Sequence, residues 1–216
     1  MTEKNDLHVA GGITEDGVVI GNTYDKYGSN NPIVKMMMRG YESSLQEFVN
    51  SVNPGKIHEV GCGEGYWTLK WLEKGKIALG SDFSSTIIRM AQANAIQRNL
   101  PHGHFFVRDI YSLDPLSDKA DLVVCCQVLE HLERPVEALL ALKRIAAPYL
   151  IVCVPNEPLW SFLNMARAKY WTDWGNTPGH IQRWSKRGFV QLVSKYFDIV
   201  KVNSPLPWTM LLCKNK

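Results

Sequence analysis

The chain has 216 residues, enough for one compact domain with a buried core and an appendage. Its composition, 45% hydrophobic and 21% charged, is that of a folded globular protein and excludes a disordered or fibrous chain. With 24 basic and 21 acidic side chains the net charge is +3, and no basic stripe is visible, which argues against a nucleic-acid partner.

The five cysteines, Cys62, Cys125, Cys126, Cys153 and Cys213, are odd in number and mostly lie in or beside apolar runs. They read as small buried hydrophobes in a reducing compartment, not as a disulfide framework. No Cys-x-x-Cys pair or close Cys/His spacing suggests zinc, so no metal is expected. Met1 to Asp6 does not resemble a signal peptide, and no uncharged apolar run reaches the ~18 residues of a membrane span. A cytoplasmic protein without a membrane span is the expectation.

Residues 1–31 are polar and Gly/Asn-rich, as a mobile lead-in would be. After Asn31-Pro32, the apolar residues Ile33, Val34, Met37, Met38, Tyr41, Leu45, Phe48 and Val49 recur in steps of three and four. That spacing predicts an amphipathic helix, stopped by Asn53-Pro54-Gly55. Residues 1–55 therefore divide off as lead-in and cap helix from a domain over 56–216.

From Lys56 the rhythm is strand then helix. Strands are predicted at Ile57–Val60, Ile77–Ser81, His104–Val107, Asp121–Cys126 and Tyr149–Val154. Helices are predicted after the glycine turn to about Glu73, from Ser84 or Ser85 to about Asn99, and from Pro135 to Ile145. After an irregular stretch, 156–184, a helix from Lys186 to Tyr196 precedes strands Phe197–Val202 and Trp208–Cys213. The short link between these two suits an antiparallel hairpin. The fold class is α/β: a doubly wound, mostly parallel seven-stranded sheet with an antiparallel C-terminal hairpin.

The strongest motif is Glu59-Val60-Gly61-Cys62-Gly63-Glu64-Gly65, a glycine turn between the first strand and a helix. Glycines let backbone approach a ligand where a Cβ would collide, and open α/β sheets bind nucleotides at this edge. Asp82, 21 residues after Gly61, ends the second strand and can grip two ribose hydroxyls; alternatively it caps the next helix. Asp109 ends the third strand and can accept an adenine amine, or is an ordinary turn aspartate. The third glycine falls one residue early for the G-x-G-x-x-G dinucleotide turn, which argues against NAD.

These runs, with Asp121-Leu122-Val123-Val124-Cys125-Cys126-Gln127-Val128-Leu129-Glu130-His131-Leu132, resemble the class I S-adenosylmethionine methyltransferases. Within that class the chain is similar to the small-molecule branch, the type 11/12 domain that includes the ubiquinone-pathway O-methyltransferases. The resemblance is strong over 56–155 and weak through Gly179-His180 to Phe189. It implies S-adenosylmethionine as cofactor and S-adenosylhomocysteine as product. Gly61, Cys62 and Gly63 would meet the methionyl part and Glu59 its ammonium through water. Asp82 would hold the ribose, Phe83 would pack on the adenine, and Asp109 and Ile110 would meet the adenine edge. The Cys126-Gln127 backbone would lie near the sulfonium. Arg39 is the candidate for the cofactor's carboxylate, and Tyr24 and Tyr27 for a lid.

Residues 156–184 hold Trp160, Trp171, Trp174 and Trp184, with Phe162 and Tyr170. Such rings suit the wall of an apolar acceptor site, or equally a cap core or dimer contact. Arg167, Lys169 and Arg183 are available for an acidic acceptor. A hydroxyl acceptor needs a general base, for which His180 and His131 are the candidates. The expected function is methyl transfer to a small molecule, at oxygen, by in-line displacement, in a monomer or homodimer. The alternatives are a methyltransferase for RNA or protein, and a non-catalytic binding protein of the same fold.

Overall fold

The computed structural model describes residues 7–15, 18–166 and 179–216. The first cap is local chemistry: Asn31 Oδ1 accepts Ile33 N–H at 2.9 Å, and Pro32, which has no N–H to waste, opens helix α1 (Pro32–Val52). The helix turns Met38, Tyr41, Leu45, Phe48 and Val49 inward, as their spacing predicts.

Strand β3 (Lys56–Val60), helix α2 (Tyr66–Glu73), strand β4 (Ile77–Asp82), helix α3 (Ser85–Gln97) and strand β5 (Phe105–Val107) follow. Then come β6 (Ala120–Cys126), α4 (Pro135–Ile145), β7 (Ala146–Pro155), α5 (Leu159–Ala166), α6 (Lys186–Val193), β8 (Phe197–Asn203) and β9 (Trp208–Asn215). Ahead of α1, Thr14–Glu15 (β1) pairs with Val18–Val19 (β2).

The main sheet has seven strands in the order β5-β4-β3-β6-β7-β9-β8. Its first five strands are parallel; β9 runs antiparallel to both β7 and β8. Two hydrophobic layers flank it. Leu122 and Val124 of β6 face a core built with α1, α2 and α3; Val123 and Cys125 face one built with α4 and α6. Alternation along a strand covered on both faces explains why that run is continuously apolar. All five cysteines are free thiols. No described helix is long and apolar enough to cross a membrane.

Several boundaries differ from the sequence reading by one to three residues, and helix α5 lies within the stretch 156–184 that the sequence reading left irregular. His104 belongs to a 3-10 turn, His102–His104, so β5 begins at Phe105. Helix α3 stops at Gln97 and α6 at Val193, before Asn99 and Tyr196. Strand β7 starts at Ala146, directly from α4, because Asn215 at the far end of β9 donates to the carbonyls of Lys143 and Ala146 (3.0 and 2.6 Å). The larger correction concerns the lead-in. Leu7, Ala10 and Ile20 are buried, and His8 exchanges hydrogen bonds with Asn94 of α3 (3.0 and 3.2 Å). A polar composition concealed a segment held by side-chain acceptors in the core.

Candidate active site

The glycine turn leaves β3 at the carboxyl edge of the sheet. Gly61 N–H and Cys62 N–H both donate to Ser81 O (2.7 and 2.9 Å), tying the turn to β4. All three glycines have positive φ, but for different reasons. A Cβ on Gly61 would lie 2.2 Å from Val128 Cγ2, and one on Gly65 would lie 2.7 Å from the Phe105 ring. Packing demands those two. A Cβ on Gly63 would meet nothing nearer than Asn22 Nδ2 at 4.0 Å, so this glycine alone of the three faces open space.

Asp82 stands beside that face. Its Oδ2 accepts Gly63 N–H and its Oδ1 accepts Ser84 N–H, each at 3.1 Å. The cap of α3 is Ser84, whose Oγ accepts Ile87 N–H, so Asp82 is not spent on capping. Each carboxylate oxygen keeps a lone pair for a ligand hydroxyl. Burial raises the Asp82 pKa against the lowering effect of its backbone bonds. Phe83 next to it is half exposed. Asp109 is exposed and accepts Tyr111 N–H (2.8 Å), while Ile110 is buried in the core under α4.

Glu59 is 5% exposed, and its Oε2 accepts Thr68 N–H (2.9 Å) and Thr68 Oγ–H (2.5 Å). Burial nevertheless pushes its pKa up to about 8. Burial also pushes the Cys62 thiol up. Cys126 ends β6 opposite Cys153 of β7. The next residue, Gln127, holds a left-handed φ of 60°. Its N–H donates to Cys153 O (2.8 Å) and its Oε1 accepts Trp208 Nε1–H (2.8 Å). A non-glycine residue pinned in that conformation is a stored strain of the kind that shapes sites.

Tyr27 stacks on Tyr66 with ring centres 3.5 Å apart. Together with Lys26, Met38, Arg39 and Trp67 they line a cavity of about 230 Å³. Arg39 is exposed at its mouth.

On the other side of Cys126 the fold gathers residues far apart in sequence. Ile181 N–H and Gln182 N–H both donate to Glu130 O, and Gly179 O accepts His131 Nδ1–H at 2.9 Å. The His131 and His180 rings lie 4.9 Å apart, and Trp160 lies 6.2 Å from His180. Glu130 is 1% exposed, and neither carboxyl oxygen has a hydrogen-bond partner among the described residues. Burial pushes its pKa to about 8, so at neutral pH it carries a proton. Desolvation lowers His131, and lowers His180 to about 4 with help from His131 and Arg183. Potential ligand atoms of Glu130, His131 and His180 lie within 4.8 Å of one another, a proximity that spacing along the chain did not reveal. Both imidazoles are therefore uncharged at pH 7.

The structure brings Trp160 beside His180, but Trp184 packs on Phe189 (5.7 Å) at the edge of the core. Trp171 and Trp174, with Arg167, Lys169 and Tyr170, lie outside the described residues. Sequence reading missed Lys26, Glu64 and Glu130. Glu64 had a signal, an acid between two glycines of the turn; Glu130 sat unremarked in the Glu-His pair.

Residues 58–152 match the family model of the methyltransferase domain. That stretch is 95 of the chain's 216 residues. The matched stretch runs from β3 into β7, the part of the sheet that holds the glycine turn, Asp82, Asp109 and the Glu130-His131 pair. The chain is 26% identical over 146 residues to a ubiquinone biosynthesis O-methyltransferase of Haemophilus ducreyi, covering 65% of this chain and 61% of that protein. It thus spans about three fifths of that relative's length. The fold superposes on magnesium protoporphyrin IX methyltransferase from Synechocystis, solved with bound SAH. The TM-score is 0.65 at 21% identity, over 88% of this chain and 90% of that one. It also superposes on the small RNA methyltransferase HEN1, with a TM-score of 0.61 at 18% identity, over 80% of this chain and 25% of HEN1. Those two proteins are named for acceptors of very different size, so the shared fold does not select an acceptor.

Proposed function

We propose that this protein transfers a methyl group from S-adenosylmethionine to an oxygen of a small-molecule acceptor. The observation that carries the reading is the pairing, at one sheet edge, of an open glycine with a spare-handed carboxylate, Gly63 beside Asp82. Open space where a Cβ would stand suits a ligand lying on the turn, and Asp82 suits ribose hydroxyls. Exposed Phe83 offers a face for adenine.

The sulfonium cofactor supplies an already activated methyl carbon. What remains for the protein is to align the acceptor, exclude water and take one proton. His131 is the better base. Its Nδ1–H is fixed on Gly179 O, which leaves Nε2 as acceptor and supports the imidazolium once formed. His180, at about 4, is too acidic to keep a proton near neutrality, and serves to wall the acceptor with Trp160. The small-molecule reading is favoured over RNA by the net charge of +3 without a basic stripe.

The test is calorimetric binding of S-adenosylhomocysteine, then transfer of labelled methyl to a panel of hydroxylated aromatic acids and phenols, with mass spectrometry locating the methyl group. Binding and O-methylation are expected. Binding without turnover on any acceptor, RNA included, would favour a non-catalytic protein; transfer only to RNA would replace the acceptor class.

A further inference from the structure

Lys26 sits in the lead-in between two clamps. On one side, Asn22 is held by Glu64, through its N–H (2.7 Å) and its side-chain amide (2.5 Å). On the other, Tyr27 is stacked on Tyr66 and edge-on to Trp67 (5.8 Å). Asp25 Oδ1 accepts Tyr27 N–H (3.0 Å) and Gly28 N–H (2.8 Å), fixing the turn between them. The residues gripped, Glu64 and Tyr66, bracket Gly65 at the end of the glycine turn, so the chain carrying Lys26 passes over that turn.

The Lys26 side chain is half-buried, and its ammonium lies in the field of Glu64, Glu59 and Glu130 and of the thiols of Cys126 and Cys153. Its Nζ stands 5.3 Å from the centre of the Tyr27 ring, on the wall of the cavity that Tyr27, Tyr66 and Trp67 also line. No hydrogen bond or ion pair joins it to another described residue. Two of the nearby acids are already satisfied by neutral donors, Glu64 by Ala10 and Asn22 and Glu59 by Thr68, and the third, Glu130, is held in its protonated form by burial. Desolvation pulls the lysine below its ordinary range, as it does an ammonium that lacks an acceptor.

We propose that Lys26 anchors the α-carboxylate of the sulfonium cofactor. The methionyl end of that cofactor carries an ammonium and a carboxylate on one carbon, and needs an anion for the first and a cation for the second. Glu59 is placed for the first: burial alone holds its carboxyl near 8, and an ammonium brought beside it would favour the ionised form. Of the three cations lining the cavity, Lys35 and Arg39 are exposed, and Lys35 Nζ donates to Asn30 Oδ1 (3.2 Å). Lys26 alone of the three reaches the interior, which reassigns the carboxylate from Arg39. The lead-in then does more than cover the pocket: its clamps aim one charge at one group. This inference rests on the cofactor named above and is independent of the acceptor.

The experiment compares wild type, Lys26→Met and Lys26→Arg by calorimetry. The ligands are S-adenosylhomocysteine and its decarboxylated analogue, which keeps the ammonium. Lys26→Met should weaken S-adenosylhomocysteine about tenfold to a hundredfold. It should leave the analogue unchanged, and Lys26→Arg should restore part of the loss. Thermal melts check that each variant is folded. Equal weakening of both ligands would make Lys26 a packing residue and overturn the assignment. So would an unchanged affinity with reduced turnover, which would place Lys26 on the acceptor, or a tighter affinity, which would make it an obstruction. Failure of wild type to bind either ligand would remove the cofactor reading itself, an outcome distinct from all of these.

Discussion

Asn22 meets Glu64 twice, donating its backbone N–H to Oε1 and its side-chain amide to Oε2. Ala10 N–H adds a third bond, to Oε1 at 2.9 Å. One carboxylate in the glycine turn thus gathers both arms of the β1–β2 hairpin. Hydrogen bonds to a charged group are worth roughly 1.5–3 kcal/mol each, and removing the acceptor strands the donors. Glu64→Ala should therefore release the lead-in without unfolding the sheet. Hydrogen exchange read by mass spectrometry should rise over 7–31 while β3, β6 and β7 keep their protection. Unchanged exchange in the lead-in would mean that the Leu7, Ala10 and Ile20 contacts hold it without Glu64.

Gly61 and Gly63 look equivalent in the motif, yet their variants should fail differently. Both have positive φ, so alanine at either costs roughly 1–2 kcal/mol of backbone strain. Gly61→Ala adds a clash with Val128, and should lower the melting temperature well beyond Gly63→Ala. Adding Val128→Ala should restore part of it. Gly63→Ala should keep most of its stability and lose S-adenosylhomocysteine affinity. Equal melting temperatures for the two single variants would show that Val128 yields freely.

The architecture was legible because it rests on short-range rules. The apolar steps of α1, the period-two alternation of β6 and the turn at Gly61 each determine local structure before tertiary contacts act. What was not legible is what the fold assembles from a distance. Glu130 and His180 are joined only through the return of residues 179–182 onto the end of β6. The lead-in shows the same limit: its polar composition says nothing of Glu64 and Asn94, the acceptors that hold it. Asp82 sat between two readings, and only the Oγ of Ser84, taking the cap, separates them.

Asp82→Ala tests the ribose grip. Loss of two charge-assisted hydrogen bonds should weaken S-adenosylhomocysteine by at least about tenfold. The variant also frees Gly63 N–H and Ser84 N–H, so a modest fall in melting temperature is expected. Affinity within a factor of about two of wild type would take Asp82 out of the site.

Buried Glu130 makes stability depend on pH. Its folded pKa of about 8 lies above the ordinary 4.5, so the folded state holds a proton that the unfolded state releases. Its contribution is complete below about 4.5 and is lost as pH rises through about 8, at up to about 1.4 kcal/mol per pH unit. Glu130→Gln removes that loss. The variant should gain stability relative to wild type between pH 5 and 9, read as the difference in urea midpoints. A constant difference across that range would show that Glu130 is ionised in the fold.

The last prediction separates the two histidines. If His131 Nε2 takes the acceptor's proton, His131→Ala should leave S-adenosylhomocysteine affinity intact and lower kcat by roughly 10²–10⁴-fold. His180→Ala should act mainly on the acceptor's KM, since its ring walls the site beside Trp160 but its pKa of about 4 makes it a weak base. The pH profile is the decisive readout. Loss of the base should flatten the acid limb of kcat/KM in His131→Ala, whereas His180→Ala should keep that limb. Because Glu130, His131 and His180 bring ligand-capable atoms within 4.8 Å, each measurement is repeated with EDTA. Proton transfer by an imidazole predicts no change. Activity lost to EDTA and restored by a divalent cation would assign the cluster to a metal instead, and the reversed pattern of the two variants would make His180 the base.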